Sequence, residues 1–140
     1  MRINQLSIFV ENKTGRLHTI VDALREGGIN LRALSIADTT DFGILRLIVD
    51  NADAARAALA EIGVISKITE VIAVKIDDKA GGLACVLDTI SDSGLSIEYM
   101  YAFLSEESGR AMMVLKTDKD EKAEEILTRA GIKLASEKDI

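Results

Sequence analysis

The chain of 140 residues has no proline or tryptophan, one cysteine, one histidine and only 4% aromatic residues. One cysteine cannot form an internal disulfide, and residues 1–4 do not resemble an export signal, so we expect a cytoplasmic protein. No segment approaches the roughly 20 uninterrupted apolar residues of a membrane span. A net charge of −6 with so few aromatic residues also disfavours binding to nucleic acid or anionic lipid. We therefore expect neither nucleic acid nor a membrane as a partner.

Few residues are suited to catalysis. His18 lies outside the apolar stripe of its predicted helix and is expected at the surface. Cys85 has no basic neighbour in sequence to activate its thiol, and we interpret it as a small residue at a helix flank. No spacing of histidine, cysteine and carboxylates resembles a zinc site, and Asp77 and Asp78 are typical of a turn. We expect no catalytic residue, no metal and no cofactor.

The sequence repeats itself. Residues 5–64 and 71–132 share an apolar pattern and a glycine turn that opens an amphipathic helix. Three glycine pairs recur 66 positions apart: Gly15 and Gly81, Gly28 and Gly94, Gly43 and Gly109. Equivalent residues of the last helices in the two copies are 68 positions apart. We interpret this offset as a two-residue insertion just before or at the start of that helix. A repeat of this length indicates two modules, residues 1–70 and 71–140, that bury part of their surfaces against each other.

Each copy predicts the order strand, helix, strand, strand, helix, strand. In copy one the predicted elements are residues 5–10, 15–26, 30–37, 44–49 and a helix capped within residues 50–53. In copy two they are residues 71–76, 82–92, 96–103, 110–116 and 119–130. The predicted inner faces of the last helices are Ala55, Ala58, Leu59 and Ile62, and Ala123, Ile126, Leu127 and Ala130.

This order predicts an α+β fold of two tandem ferredoxin-like βαββαβ modules, with antiparallel sheets and helices on one face. Residues 64–76 contain no proline or glycine, so the last strand of copy one should run almost directly into the first strand of copy two. Residues 43–49 and 111–115 are apolar at nearly every position. We therefore expect both faces of the sheets to be covered, by packing between copies and between chains.

The glycine turns are the candidate binding sites. A helix N-terminus leaves its first N–H groups unpaired and carries about half a positive charge. Gly15 and Gly81 would let a ligand approach that backbone. An α-carboxylate suits this position, and Asn12 or Asp78 could accept a hydrogen bond from an α-ammonium group. A purely structural turn explains the same residues, and duplication would copy it equally well.

Three short motifs accompany this element order: Asn/Asp-x-x-Gly-x-Leu at residues 12–17 and 78–83, Gly-Ile-Asn-Leu at 28–31 and Gly-Leu-Ser-Ile at 94–97. Together with the element order, they resemble ACT domains, small regulatory modules usually attached to amino-acid biosynthetic enzymes. The resemblance covers practically the whole chain, as two copies with no catalytic domain. Where the family usually has a proline before the glycine, this chain has Thr14 and Ala80.

The resemblance implies that modules pair side by side and that an amino acid binds between the glycine turn of one module and the second strand of its neighbour. The implied turn positions are Asn12, Thr14, Gly15, Arg16 and Leu17, and Asp78, Ala80, Gly81, Gly82 and Leu83. The implied strand positions are Leu34, Ser35, Ile36, Ala37 and Asp38, and Met100, Tyr101, Ala102 and Phe103.

The two copies differ at these positions. Gly82 replaces Arg16, and Tyr99, Tyr101 and Phe103 share one face of their predicted strand. We favour a composite pocket that joins the turn of copy one to the aromatic strand of copy two. The resulting hypothesis is a homodimeric sensor that binds a free amino acid and regulates an unidentified protein. The alternative is a protein-interaction module without a small ligand, and an amino-acid-metabolising enzyme is less favoured.

Overall fold

The computed structural model describes residues 1–11, 13–38, 42–104 and 110–140. The chain divides into two compact units, Asn4–Thr69 and Glu70–Ile140, the second of which also contains Met1–Ile3. We call these units module 1 and module 2. The boundary lies inside one strand, so no separate linker joins the modules.

Module 1 contains all but the first residue of β1 (Ile3–Glu11), then α1 (Arg16–Glu26), β2 (Leu31–Asp38), β3 (Phe42–Val49), α2 (Ala52–Glu61) and the beginning of β4 (Ser66–Asp77). The strand β3 lies between β1 and β2 and is antiparallel to both. The predicted order is confirmed, and so is the expectation that the strand ending copy one runs directly into copy two. Asn51 caps α2, because its side-chain oxygen accepts a hydrogen bond from the N–H of Ala54 at 3.0 Å.

Module 2 contains the rest of β4, α3 (Gly82–Asp92), β5 (Ile97–Ala102), β6 (Arg110–Thr117), α4 (Asp120–Arg129) and β7 (Lys133–Leu134). A 3-10 turn, Glu137–Asp139, follows. The strands are antiparallel in the order β7-β4-β6-β5. Each module is thus a ferredoxin-like βαββαβ unit, and the predicted fold class is confirmed.

The helices pack on one face of each sheet, where alternate strand residues meet the apolar stripes of the helices. In module 1 this core contains Leu6, Ile8, Ile20, Leu24, Leu45, Leu47, Ala55 and Leu59. In module 2 it contains Ile72, Val74, Val86, Ile90, Leu115, Ala123 and Leu127. The spacing of these residues, two along strands and three or four along helices, is what the sequence predicts for half-buried elements.

The predicted inner faces of α2 and α4 were wrong at their last positions. Ile62 is 41% exposed, and Ala130 is also exposed. Both residues are the C-caps of their helices, just before a left-handed glycine, Gly63 or Gly131, that turns the chain back. The N–H of Val64 then donates to the carbonyl of Leu59 at 2.9 Å, and the same reversal recurs in module 2.

The predicted place of the two-residue insertion was also wrong. Phe9 pairs with Ile44 in module 1, whereas Lys75, its counterpart 66 positions later, pairs with Met112. Met112 lies 68 positions after Ile44, so the offset has already changed before β6. The extra residues therefore lie in the connection between β5 and β6. Gly43 consequently corresponds to Ala111 and not to Gly109.

The sheet face opposite the helices is covered only in part. In module 1, Ala33 and Ile48 are paired on this face and are 0% and 1% exposed. Further along the same sheet, Phe9 is 80% exposed and Phe42 is 55% exposed. Within one chain this face is therefore buried at one end of the sheet and exposed at the other, and coverage of the exposed end by a second chain stays a prediction. Within the described ranges, no helix is long and apolar enough to cross a membrane.

Candidate ligand site at the glycine turns

The two glycine turns have the same backbone geometry. Gly15 and Gly81 have φ angles of 81° and 85°, in the left-handed region that side chains disfavour. The N–H of Lys13 donates to the carbonyl of Glu11 at 2.8 Å, and Lys79 donates to Asp77 at 2.9 Å. Neither helix start has a side-chain cap. The backbone N–H groups in the first turns of α1 and α3 are therefore not covered by the side chain of a capping residue.

The residue after each glycine distinguishes the two turns. A Cβ atom at Gly82 would lie 2.1 Å from the carbonyl oxygen of Asp77, so a residue with a side chain cannot adopt this backbone. Arg16, at the equivalent place, carries a side chain, and the Glu11 carbonyl cannot approach it as closely. Gly82 therefore serves close backbone packing, a role that the sequence comparison did not reveal.

Part of the predicted site of module 1 comes together in one small cleft. Arg16 and Leu17 of α1 and Ile36 of β2 line a cavity of about 100 Å³. Its other lining residues are Val10, Glu11, Lys13 and Gly43. Thr14 and Gly15 are exposed, whereas Asn12 lies outside the described residues. The turn and the second strand of one module thus border the same cleft.

Apolar side chains remain uncovered beside this cleft. Leu17 is 36% exposed, Leu34 is 38% exposed and Ile36 is 52% exposed. Leu34 and Ile36 pair with Leu47 and Leu45, so they point to the helix side of the sheet. Ser35 and Ala37 lie on the opposite face. The helix-side edge of module 1 is therefore an incomplete apolar surface.

The predicted strand residues of module 2 divide between the two faces of the sheet. Met100 and Ala102 pair with Leu115 and Met113 on the helix side, and Met100 packs against the core. The backbone of Phe103 pairs with that of Met112, its N–H donating at 2.9 Å.

The aromatic residues of this strand share the opposite face, as predicted from the strand period. The rings of Tyr99 and Tyr101 are stacked with their centroids 6.4 Å apart, and Tyr101 is only 8% exposed. Within module 2, the strand residues on the same face as the α3 turn are therefore Met100 and Ala102 rather than the aromatic ones.

The turn of module 2 borders a larger cleft of about 460 Å³. Gly81 and Gly82 line it, whereas the predicted residues Asp78 and Ala80 are exposed beside it and Leu83 is half-buried. Its other lining residues are Lys75, Ile76, Asp77, Lys79, Cys85, Val86, Arg110, Gly131, Ile132 and Lys133. The sequence prediction missed the four basic residues of this set. For three of them, Lys75, Arg110 and Lys133, the available signal was the replacement of an apolar residue of copy one by a basic residue in copy two, whereas Lys79 corresponds to Lys13.

Charges of both signs lie at the cleft of module 1. Lys13 Nζ is 2.9 Å from Glu11 Oε2. The hydrogen bond from Lys13 and its positive charge lower the pKa of the Glu11 carboxyl, and Arg16 adds a smaller effect in the same direction. The ionised form of Glu11 is therefore favoured by the two cations beside it.

Other reactive side chains do not gather at either turn. His18 is exposed, as predicted, and Cys85 is also exposed. In the parts of the chain that the structure describes, no group of three or more histidine, cysteine or acidic residues could hold a metal ion.

The fold and the turns define a protein of two ferredoxin-like modules, each with a left-handed glycine opening its first helix. The ACT domain pair family matches residues 1–140, the whole chain. The chain therefore belongs to the ACT domain pair family, and the resemblance seen in the sequence is confirmed.

Solved structures agree with this assignment. Protein BT0572 from Bacteroides thetaiotaomicron is 39% identical, with a TM-score of 0.91, and the match covers 99% of this chain and 95% of that one. The ligand-free regulatory subunit of aspartate kinase from Thermus thermophilus is 21% identical, with a TM-score of 0.64 and 91% of each chain covered. The corresponding subunit from Thermus flavus is 19% identical, with a TM-score of 0.58 and coverage of 91% and 92%. The two Thermus proteins share the fold. A search of the curated proteins found no match.

Proposed function

We propose that this protein is a regulatory protein, and not an enzyme, that binds a free amino acid between the glycine turn of one ACT module and the second strand of a neighbouring one. The observation that carries the proposal is the cleft of module 1, where a helix start, charges of both signs and uncovered apolar side chains meet. We further propose that residues 1–70 and 71–140 are its two ACT modules and that it acts in the cytoplasm on a separate protein.

The charges of the cleft match the two ends of an amino acid. The first turn of α1, beside Gly15, attracts the α-carboxylate through its partial positive charge, and Arg16 adds a full one. The Glu11 carboxylate accepts a hydrogen bond from the α-ammonium group, and this pair is charge-assisted. Asn12 and Thr14 complete this turn in the proposed site.

The size of the cleft explains why a neighbouring module is needed. A cavity of about 100 Å³ is smaller than the roughly 300 Å³ at the low end of ligand pockets. The missing wall would be a second strand of a neighbouring module, with Met100, Tyr101, Ala102 and Phe103 as the favoured contributors. The reverse combination would join Leu34, Ser35, Ile36, Ala37 and Asp38 to Asp78, Ala80, Gly81, Gly82 and Leu83.

Calorimetry of the full chain against the twenty amino acids tests the proposal. Saturable binding of one or a few is expected, and Gly15→Val should reduce the affinity at least tenfold. Gly81→Val is a matched control, because both glycines have nearly equal φ and a Cβ at either would meet nothing within 4 Å. The backbone strain is therefore similar, and Gly81→Val should preserve most of the binding. Equal losses would argue for two working sites, whereas no saturable binding to the unaltered chain would refute amino-acid sensing.

The protein-interaction alternative draws on another observation. Phe9 is 80% exposed, Phe42 is 55% exposed and Ile65 is 90% exposed, although large apolar residues commonly avoid water. A module that only binds a protein partner would use such a surface and show no amino-acid binding. The calorimetric experiment therefore separates the two functions.

A homodimer is part of the proposed function, because a second copy can cover the uncovered edge of module 1. Ile36→Lys would place a charge on that edge, next to Leu34, and should convert a dimer to a monomer in sedimentation equilibrium. Ile65→Lys is the control, since Ile65 is even more exposed and lies outside this edge. A chain that is monomeric before substitution would contradict the dimer.

A further inference from the structure

The large cleft of module 2 has a strong local positive charge. Lys75, Lys79, Arg110 and Lys133 line it, and among the described lining residues Asp77 alone is acidic. The four cations, Asp77 and the Asp139 carboxylate that pairs with Lys75 sum to +2, whereas the whole chain carries −6. The cleft lies entirely within module 2 and therefore needs no neighbouring module.

The fold itself does not require these cations. By the strand register, Lys75 and Arg110 correspond to Phe9 and Phe42 of module 1, since Asp77 pairs with Arg110 as Glu11 pairs with Phe42. Lys133 corresponds to Ile65 at the offset of 68. All three counterparts are apolar and mostly exposed, so the scaffold folds without charge at these places. Three of the four cations are therefore specific to module 2, whereas the fourth, Lys79, corresponds to Lys13 of module 1.

The arrangement of the cations is unfavourable without a counter-ion. Lys75 and Lys133 are direct partners on β4 and β7, and like charges directly opposite each other destabilise a sheet. Asp139 pairs with Lys75 at 2.9 Å, and Asp77 lies 3.6 Å from Lys79. Arg110 and Lys133 form no ion pair with any residue in the described ranges. Arg110 lies directly opposite Asp77, whereas Lys133 lies opposite another cation, Lys75. Among the described residues, Lys133 is thus the lining cation that has neither an ion pair nor an acidic cross-strand partner.

We propose that this cleft binds a compact oxyanion with at least two negative charges, separately from the favoured amino-acid site at the glycine turn of module 1. Arg110 can hold two oxygens in a bidentate geometry, while Lys133 and Lys75 act as point charges. The first turn of α3 opens on the same cleft and adds the positive end of the helix dipole. The volume of about 460 Å³ is ample for a small phosphorylated or polycarboxylate ligand.

Two anions, one a phosphate and one a carboxylate, show which class of ligand the cleft prefers. The full chain is titrated with pyrophosphate and with citrate by calorimetry at low ionic strength, with acetate as a singly charged comparison. Saturable binding of pyrophosphate or citrate, weakened by added salt and much stronger than that of acetate, is the expected result. Preference for pyrophosphate would identify a phosphate site, and preference for citrate a carboxylate site. Failure of both to saturate would overturn the proposal.

Charge-neutralising variants locate the binding. Arg110→Gln and Lys133→Gln should each reduce the affinity at least tenfold. Lys122→Gln removes the same charge from the exposed face of α4, outside the cleft, and should change it less than twofold. Equal losses from all three variants would mean non-specific attraction and would refute the site.

Thermal unfolding with and without anion distinguishes a loss of anion binding from a loss of folding stability. Lys133→Gln should leave the thermal midpoint unchanged or raised in the absence of anion, because it relieves repulsion from Lys75. The same variant should abolish the rise in midpoint that pyrophosphate or citrate produces in the unaltered chain. A persistent rise would contradict the assignment of Lys133. Gly15→Val should leave anion binding intact, so the two proposed sites can fail separately.

Discussion

A Cβ atom at Gly82 would lie 2.1 Å from the carbonyl oxygen of Asp77, closer than any real Cβ contact. The strand β4 therefore approaches the start of α3 so closely that only glycine fits. In module 1 the equivalent residue is Arg16, and the turn must be wider there. Duplication preserved the left-handed glycine of both turns but allowed the next residue to diverge.

This contact predicts unequal effects of alanine at the two equivalent places. Gly82→Ala should lower the free energy of unfolding by about 2 kcal/mol, because the backbone must move to admit the methyl group. Arg16→Ala should change it by less than about 0.5 kcal/mol, since this place already accommodates a Cβ. Urea denaturation of both variants measures the difference. Equal changes would mean that the strand carbonyl lies equally far from the helix start in both turns.

Local patterns were sufficient to predict the order of elements. The helix α3 has the predicted limits, 82 and 92, because a glycine turn precedes it and its apolar residues follow the helical period. The position of the insertion was mispredicted because strand register depends on partners far along the chain. Strand pairings such as that of Lys75 with Met112 reveal that the offset changes before β6.

The basic cleft of module 2 was missed for a related reason. Lys75, Arg110 and Lys133 belong to three different strands and become neighbours only when the sheet forms. Each of them alone is an ordinary surface cation in the sequence. The glycine turns could be identified because all their residues are consecutive. A site formed by consecutive residues of one turn can thus be predicted from the sequence. A site formed by residues of several strands can be identified only once the fold is known.

The end of α2 gives a second prediction. Leu59 is fully buried in the core of module 1, so Leu59→Ala should cost about 2–5 kcal/mol of unfolding free energy. Ile62 was expected on the same face but is 41% exposed at the end of the helix. Ile62→Ala should therefore cost less than about 1 kcal/mol. Thermal or chemical unfolding of the pair checks this order, and a larger loss for Ile62→Ala would contradict the helix end.

The last prediction concerns acid and the end of module 2. The N–H of Ser136 donates to Asp139 at 2.7 Å, and Lys75 donates to it at 2.9 Å. The Ser136 hydrogen bond is the larger cause and the Lys75 bond the next, and together they lower the pKa of Asp139 from 3.8 to about 2. Because the folded pKa lies below the unfolded one, the contribution to stability is complete above about pH 3.8. It is lost as the pH falls from there to about 2.

Carboxyl-carbon NMR titration of Asp139 measures this shift directly. Lys75→Met should raise the pKa of Asp139 but leave it below 3.8, because the Ser136 hydrogen bond remains. Lys138→Met is the matched control, since Lys138 is adjacent to Asp139 in sequence but forms no ion pair within the described ranges. An unchanged pKa in Lys75→Met would mean that the ion pair is absent in solution. Lys75 would then lack a carboxylate partner in the described ranges as well, and the proposed oxyanion would bind more tightly to the cleft.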